Sequence, residues 1–433
     1  MEPFGIALIG CGTVGTGVAK LLLEHPERLS ARAARPLVLR RVVVRDPNKE
    51  RGIPLPAELI TTDLRSVLTD PTIQVAVELA GGIDFARRAV CDLLSAGKDV
   101  VTANKALLAT HGVEVFDAAR RNGRAIAFEA SVAGGVPIIA ALAQSLAANQ
   151  ILSLQGIVNG TCNFILSGMC EEGQSYAEAL AEAQALGYAE ADPTLDVDGS
   201  DSVHKLVILA QVAFGVTVPI ASVDRRGITD IQQLDLRYGG ELGYTIKLLA
   251  EAWHNQHELA LHVSPVLVKQ RTPLAQVRGA YNAIHVVGDA VGDTLYYGRG
   301  AGCMPTASAV VGDIIDLAVG RAQRTFQTLR LWSGNGHNLT VRRSSTVRSR
   351  FYLRTMVRDA PGVLGEIAHE LAKQAISISS VIQHEALDDQ EGSLVPLVIM
   401  THTAMTSAFR NALAEIDRLD CVSAPSVYYP VGE

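Results

Sequence analysis

Gly5–Ile9 is a short apolar run, and it passes through Gly10, Gly12 and Gly15 into the apolar-periodic stretch that continues to His25. The pattern predicts a strand, a glycine turn and a helix. A second strand is predicted over LVLRRVVVRDPNKER (37–51). VAVELAGG (Val75–Gly82) and DVVTANKALLATHG (Asp99–Gly112) are apolar strands running into loops, as in parallel βα units. This alternation extends to about residue 130. Beyond it, EASVAGGVPII turns through Gly134 and Gly135 into a helix, followed by a strand at Leu152–Val158 and a loop, NGTCN, at Asn159–Asn163. Helices are expected around 175–187 and 201–214, and Gly298–Ala318 reads as a glycine-rich loop leading into an apolar helix. The polar, serine- and arginine-rich segment after Trp332 reads as a linker. The last stretch alternates strand, helix, strand, strand, helix, strand, a ferredoxin-like plan.

These elements divide the chain into an α/β, Rossmann-type dinucleotide-binding domain (1–130), an α+β substrate and dimerisation domain (131–332) whose last part returns to the first, a linker (333–350) and a small tail domain (351–433). A length of 433 residues exceeds one ordinary core, in line with this division. A net charge of −7 with no basic block argues against nucleic acid. Six scattered cysteines without CxxC or zinc spacing fit a reducing cytosol, and the start of the chain has no basic leader, so a cytoplasmic protein is expected. Residues 130–170 carry no charge, yet glycine, proline, asparagine and glutamine interrupt them. A buried inter-domain region is therefore expected, not a membrane span.

In the first domain Gly10 permits a tight turn, Gly12 lets backbone approach a pyrophosphate, and Gly15 lets helix and strand pack closely. The amides of Thr13 and Val14 then face phosphate at a helix N-terminus. After the second strand Arg45 precedes Asp46, with Lys49 nearby. A guanidinium there suits a ribose 2′-phosphate and favours NADP, while Asp46 leaves NAD possible. Lys105 falls at a strand carboxyl end, where such sheets bind ligands. Gly302 and Cys303 are placed to close over the nicotinamide end.

The segment LGYAEADPTLDVDGSDSVHKLVILA (186–210) crowds five carboxylates, Glu190, Asp192, Asp196, Asp198 and Asp201, before a single Lys205 in an apolar stretch. Asp201 and Lys205 share one helix face. The segment reads either as an acidic loop capping a helix or as a proton-transfer site. Asn159, Gly160 and Thr161 supply polar groups and close backbone approach for a small ligand. Cys162 raises the alternative of a thiol nucleophile in a semialdehyde dehydrogenase. A non-catalytic sensor built on the nucleotide and tail domains is the other alternative.

With GCGTVG, NKAL, EASVAGGVPII, GIVNGTCNFIL and LGYAEADPTLDVDGSD..HK in this order, the chain closely resembles the homoserine dehydrogenase family, and DAPGVLGEIA resembles an ACT domain. The resemblance implies reversible NAD(P)-dependent interconversion of aspartate 4-semialdehyde and homoserine, on the route to threonine, isoleucine and methionine. It implies Lys205 as proton donor, Lys105 close to the reacting oxygen, Asp201 and Asp196 in the active site, and Glu190 and Thr161 at the substrate. It also implies a monovalent cation such as sodium, held by Glu129, Val132, Gly134 and Val136. A homodimer or homotetramer and threonine as an effector acting through the tail complete what the resemblance implies.

Overall fold

The computed structural model describes residues 2–333, 339–342, 344–384 and 394–432. Six strands, β1 (Phe4–Ile9), β2 (Leu37–Val43), β3 (Ile60–Thr61), β4 (Val75–Glu78), β5 (Asp99–Thr102) and β6 (Ile126–Ala127), form a parallel sheet in the order β3-β2-β1-β4-β5-β6. β1, β4 and β5 are buried along their whole length, which is why they read as unbroken apolar runs. The order reverses between β1 and β4, and that switch point opens a crevice at the strand carboxyl ends. The helix Cys303–Ala318 returns to this domain and packs beside Thr13–Glu24. A Cβ on Gly17 would stand 2.9 Å from both the Ala307 Cβ and the Cys303 carbonyl, so glycine is what permits that approach. Ala307, Val310 and Ile314 join Ile6, Leu8 and Val18 in one core.

The second region is built on strands Ile151–Ile157, Tyr244–Asn255, Glu258–Lys269, Tyr281–Gly288 and Gly292–Arg299. The hairpin 244–269 turns at Gln256 with φ of 54°, without the Asn-Gly signal that usually marks such turns. The uncharged stretch 130–170 resolves into short helical turns, the strand Ile151–Ile157 and the buried helix Gly160–Glu171. No single helix among the described residues is long and apolar enough to cross a membrane.

In the tail, strands Val422–Val431, Arg348–Arg358, Leu394–Thr401 and Ile378–Gln383 lie antiparallel in that order, with helices Val363–Lys373 and Thr406–Ile416. This is the ferredoxin-like plan. The strand expected to run to residue 386 is described to Gln383, and 385–386 lie outside the described residues. The tail is fastened to the second region by a buried ion pair. Arg354 reaches both oxygens of Asp235 at 2.6 and 3.1 Å, and the Tyr352 hydroxyl donates to the same carboxylate at 3.1 Å.

Three local expectations are corrected. NGTCN is not a loop: Asn159 caps the helix Gly160–Glu171, accepting from the Cys162 amide at 2.8 Å. Lys105 is not in a loop but opens the helix Lys105–Arg121, capped by Asn104. The segment read as a linker contains a strand, Thr340–Arg342, paired with Glu258–Ala260, and the start of Arg348–Arg358; 334–338 and 343 lie outside the described residues.

Candidate active site

The crevice at the switch point is a cleft of about 580 Å³ lined on one side by Gly12, Thr13 and Val14 and on the other by Lys105, Glu190 and Asp201. Gly10 has φ of 101°, and a Cβ there would lie 2.6 Å from the Leu79 carbonyl. A Cβ on Gly15 would lie 2.5 Å from the Gly10 carbonyl, whereas one on Gly12 would meet nothing within 4 Å. The first two glycines are therefore needed by the fold, and Gly12 leaves a cradle open to the cleft. The amides of Thr13 and Val14, in the first helical turn, have no intrahelical acceptor and face that space. These features fit a dinucleotide pyrophosphate.

Arg45 and Lys49 lie exposed just beyond β2, outside the residues that line the cleft. Arg51 folds onto the carbonyls of Asp46 and Lys49, which shapes the turn carrying them. Cys303 donates from Sγ to the Thr13 carbonyl at 3.0 Å, so Gly302 and Cys303 brace the nucleotide loop from behind and do not line the cleft.

Behind the facing wall Asp198 accepts from the Ser200 amide and hydroxyl at 2.8 Å each, just before the helix Ser200–Phe214, whose N-cap is Gly199. Asp201 follows in the first turn, where the helix dipole favours an anion. Its carboxylate is 8% exposed and meets Lys105 at 3.0 Å and Lys205 at 2.7 Å. Lys205 also donates to the Val158 carbonyl at 2.6 Å. The Asn159 amide donates to Asp201 at 2.9 Å and to Asp196 at 2.7 Å, tying the two acids to the helix it caps. Burial alone would raise the Asp201 carboxyl, but Lys205 and Lys105 hold it well below the usual carboxylate range. Burial works against the ammonium form of Lys105, yet Asp201, with Asp196 and Glu190, leaves it raised overall. Asp196 is raised, chiefly by burial. Lys105 and Asp201 thus line the cleft, and Lys205 stands behind Asp201, 12% exposed and outside the lining, so both lysines are set around one ionised carboxylate.

Family models for the homoserine dehydrogenase NAD-binding domain, homoserine dehydrogenase itself and the ACT domain match residues 10–129, 137–315 and 351–420. Pseudomonas aeruginosa homoserine dehydrogenase is 42% identical over 99% of this chain and 98% of its own length. The chain belongs to the homoserine dehydrogenase family. These are NAD(P)-dependent oxidoreductases of amino-acid biosynthesis. The crystal structure of a homoserine dehydrogenase from Thiobacillus denitrificans superimposes with a TM-score of 0.92 at 40% identity, covering 100% of this chain and 99% of that one. A hyperthermophilic archaeal homoserine dehydrogenase, solved in complex with NADPH, covers 73% of this chain and 98% of its own at 25% identity and a TM-score of 0.62.

Other residues expected at a homoserine dehydrogenase site fall out differently. Glu190 is exposed on the rim of the cleft. The Thr161 hydroxyl donates to the Tyr188 carbonyl at 2.7 Å, so it braces the acidic loop and does not line the cleft. Asp192 turns onto Thr194. Cys162 is fully buried, its thiol is pushed well above its usual range by burial and the nearby acids, and it donates to the Asp196 carbonyl at 3.2 Å. It is no thiolate nucleophile, and the semialdehyde dehydrogenase alternative loses its chemistry.

The Glu129 carboxylate accepts from the amides of Ile139 and Ala140 at 2.8 and 2.7 Å, and burial pushes it up to about 7. The Val136 carbonyl is taken by the Ile138 amide. Among the described residues no donor reaches the carbonyls of Val132 and Gly134. A carbonyl that accepts one hydrogen bond keeps a second lone pair, so the backbone oxygens of Glu129, Val132, Gly134 and Val136 all retain capacity for a cation.

Sequence reading missed Glu78, Asn104 and His204, which all line the cleft. Glu78 is fully buried at the end of β4, accepts from the amides of Ala80 and Gly81 and from Thr102, and is raised by burial. A lone acid closing the apolar run VAVE was the signal for it.

Proposed function

We propose that this cleft reduces L-aspartate 4-semialdehyde to L-homoserine, reversibly, with Lys205 giving the proton to the nascent alkoxide. The observation that carries this is the pair of ammonium groups, Lys105 and Lys205, on the buried Asp201 beside an open dinucleotide cradle. A bound nicotinamide supplies the hydride. Lys105 stabilises negative charge developing on the carbonyl oxygen, and Asp201 favours its ammonium form and holds both lysines in place. Asn159 holds Asp196 and Asp201 in register. Glu190 and Asp196 take the substrate's ammonium group.

NADP is the cofactor we assign, supported by Arg45 at the end of β2 and by the NADPH complex of the archaeal relative. A monovalent cation, if held, sits on the backbone oxygens of Glu129, Val132, Gly134 and Val136 and stiffens the loop after Glu129. The chain divides into a nucleotide domain (1–130), a substrate and dimerisation domain (131–332), a linker (333–350) and the ACT tail (351–433). The half-exposed sheet face that includes Leu295 and Tyr297 supports a homodimer or homotetramer. Threonine is the effector we assign to the ACT domain, and the reducing cytosol is the compartment that fits six free cysteines. The test is homoserine oxidation followed with NADP and with NAD. Turnover with homoserine is expected, and its absence with both cofactors refutes the reading. In Arg45→Ala the KM for NADP rises and that for NAD does not; equal changes remove the 2′-phosphate argument.

A further inference from the structure

Glu78 takes no part in the chemistry proposed for the cleft, yet it is a fully buried carboxylate in the cleft floor. The other residues of β4, Val75, Ala76 and Val77, are buried and apolar, so packing gives no reason for an acid at this position. Burying a carboxylate is costly unless hydrogen bonds replace its water, and here three do. Oε1 accepts from the amides of Ala80 and Gly81 at 3.0 and 3.2 Å, and Oε2 accepts from the Thr102 hydroxyl at 2.7 Å. Gly81 and Gly82 have φ of 70° and 72°, so the loop after β4 takes a left-handed turn that brings consecutive amides onto one anion.

Glu78 and Thr102 are partners in the parallel pair of β4 and β5, each the last residue of its strand, so their side chains stand on the same face of the sheet. Thr102 extends the connection, because its Oγ1 accepts from the Asn104 amide at 3.0 Å. Asn104 precedes Lys105. Its Oδ1 accepts from the Leu107 amide at 3.1 Å and caps the helix that Lys105 opens, while its Nδ2 donates to the Gly82 carbonyl at 2.7 Å. The loop after β4 is in turn tied to the phosphate turn: the Leu79 amide donates to the Ile9 carbonyl at 2.8 Å, and the Leu79 carbonyl packs against Gly10. One carboxylate therefore joins the loop beside the dinucleotide cradle to the first turn that carries Lys105.

We propose that Glu78, acting through Thr102, is a positioning residue for hydride transfer: it sets where Lys105 stands relative to the bound nicotinamide. The proposal rests on reading Lys105 as the group that stabilises the developing oxyanion, and it adds what holds that group in place. Two consequences follow from the bonding. A glutamine at position 78 offers one acceptor oxygen in place of two, so it satisfies either the two loop amides or Thr102, and not both. A valine at position 102 keeps the shape of the side chain but loses both the donation to Glu78 and the acceptance from Asn104. The start of the Lys105 helix is then free to shift, and a displacement of about 1 Å is enough to cost about 10²-fold in rate. Gly12, Thr13 and Val14 make no bond to this network, so the phosphate cradle stays as it is.

The experiment compares Thr102→Val, Thr102→Ser and Glu78→Gln with the wild type, all as the full-length chain. Each protein is loaded with NADP and mixed with homoserine in a stopped-flow instrument, and the single-turnover rate of NADPH formation is read per cofactor-binding site. In Thr102→Val and Glu78→Gln that rate is expected to fall by about tenfold or more, while the KM for NADP stays within about twofold of wild type. Thr102→Ser, which restores the hydroxyl, is expected to recover most of the rate. A merely structural role would lower the number of binding sites and leave the rate per site unchanged. A Thr102→Val rate per site within about twofold of wild type overturns the proposal, as does a Thr102→Ser rate no higher than that of Thr102→Val. The Thr102 pair decides the matter even where Glu78→Gln does not fold. Failure of the wild type to oxidise homoserine with either cofactor sinks the catalytic reading instead, whereas normal wild-type turnover beside an unaffected Thr102→Val sinks the positioning role alone.

Discussion

Replacing Lys205 by methionine leaves an unbranched side chain one atom shorter and removes the charge, the proton and the hydrogen bonds to Asp201 and the Val158 carbonyl. Lys205 sits 2.7 Å from Asp201, a separation worth about 6 kcal/mol of Coulombic attraction at an effective dielectric of about 20, before desolvation is subtracted. Asp201 keeps Lys105 at 3.0 Å and the Asn159 amide at 2.9 Å, so it stays ionised in the variant. Its charge is then only partly balanced beside the oxygen that must become an alkoxide. Loss of a positioned general acid lowers turnover by about 10²- to 10⁴-fold, or about 3–5 kcal/mol in the barrier. The dinucleotide cradle lies on the other wall of the cleft, so cofactor affinity should hardly move. The assay is homoserine-dependent reduction of NADP at saturating substrate, with cofactor binding measured separately by quenching of protein fluorescence. A kcat within about threefold of wild type refutes the proton-donor role, because among the described residues no other donor touches both Asp201 and the Val158 carbonyl as Lys205 does.

Gly12→Ala is expected to fold normally and to lose cofactor affinity, since its Cβ meets no protein atom but fills the cradle. Gly10→Ala instead destabilises by about 1–3 kcal/mol or more, because φ of 101° and the Leu79 carbonyl both oppose a side chain. Melting temperatures with and without NADP separate the two, and equal behaviour refutes the distinction. The folded-state value of about 7 for Glu129, against an ordinary 4.5, means the native state holds a proton that the unfolded chain releases. Stability from this group is therefore highest below about pH 4.5 and falls by about 3 kcal/mol as pH rises through 7. Half-buried Asp313, whose carboxylate accepts from the Glu129 amide, acts in the same direction. Urea midpoints at about pH 5 and about pH 8 should show the fall, and Glu129→Gln should flatten it; equal slopes in both proteins refute the assignment. Arg354→Met strands Asp235, which is fully buried, at a cost of about 3–5 kcal/mol. An unchanged denaturation midpoint shows that this pair does not fasten the tail.

Local order was legible from the residues themselves. Continuous apolar runs gave β1, β4 and β5, because strands buried on both faces need no polar alternation. The spacing of Asp201 and Lys205 placed both on one helical face, and the glycines of the first turn announced a dinucleotide site. NGTCN misled because an asparagine cap and a small-residue first turn look like a loop until the helix behind them is seen. The short strand within the linker went unread for the opposite reason: three mostly exposed residues, Thr340–Arg342, look like a solvated connection until their partner strand is seen.

What the sequence by itself determined were features that repeat over a few residues: strand and helix periods, turn glycines, and the charge spacing around residue 201. Only the tertiary structure decided which distant groups share a site. It brought Lys105 from the nucleotide domain to Asp201, set Asn159 across both acids, and turned the Glu129 carboxylate onto a helix end. It also returned the helix Cys303–Ala318 to the first core and placed Arg225 behind Asp198. Periodicity encodes the conformation of neighbours along the chain. Contacts between remote segments depend on how whole elements pack, and no local pattern records that.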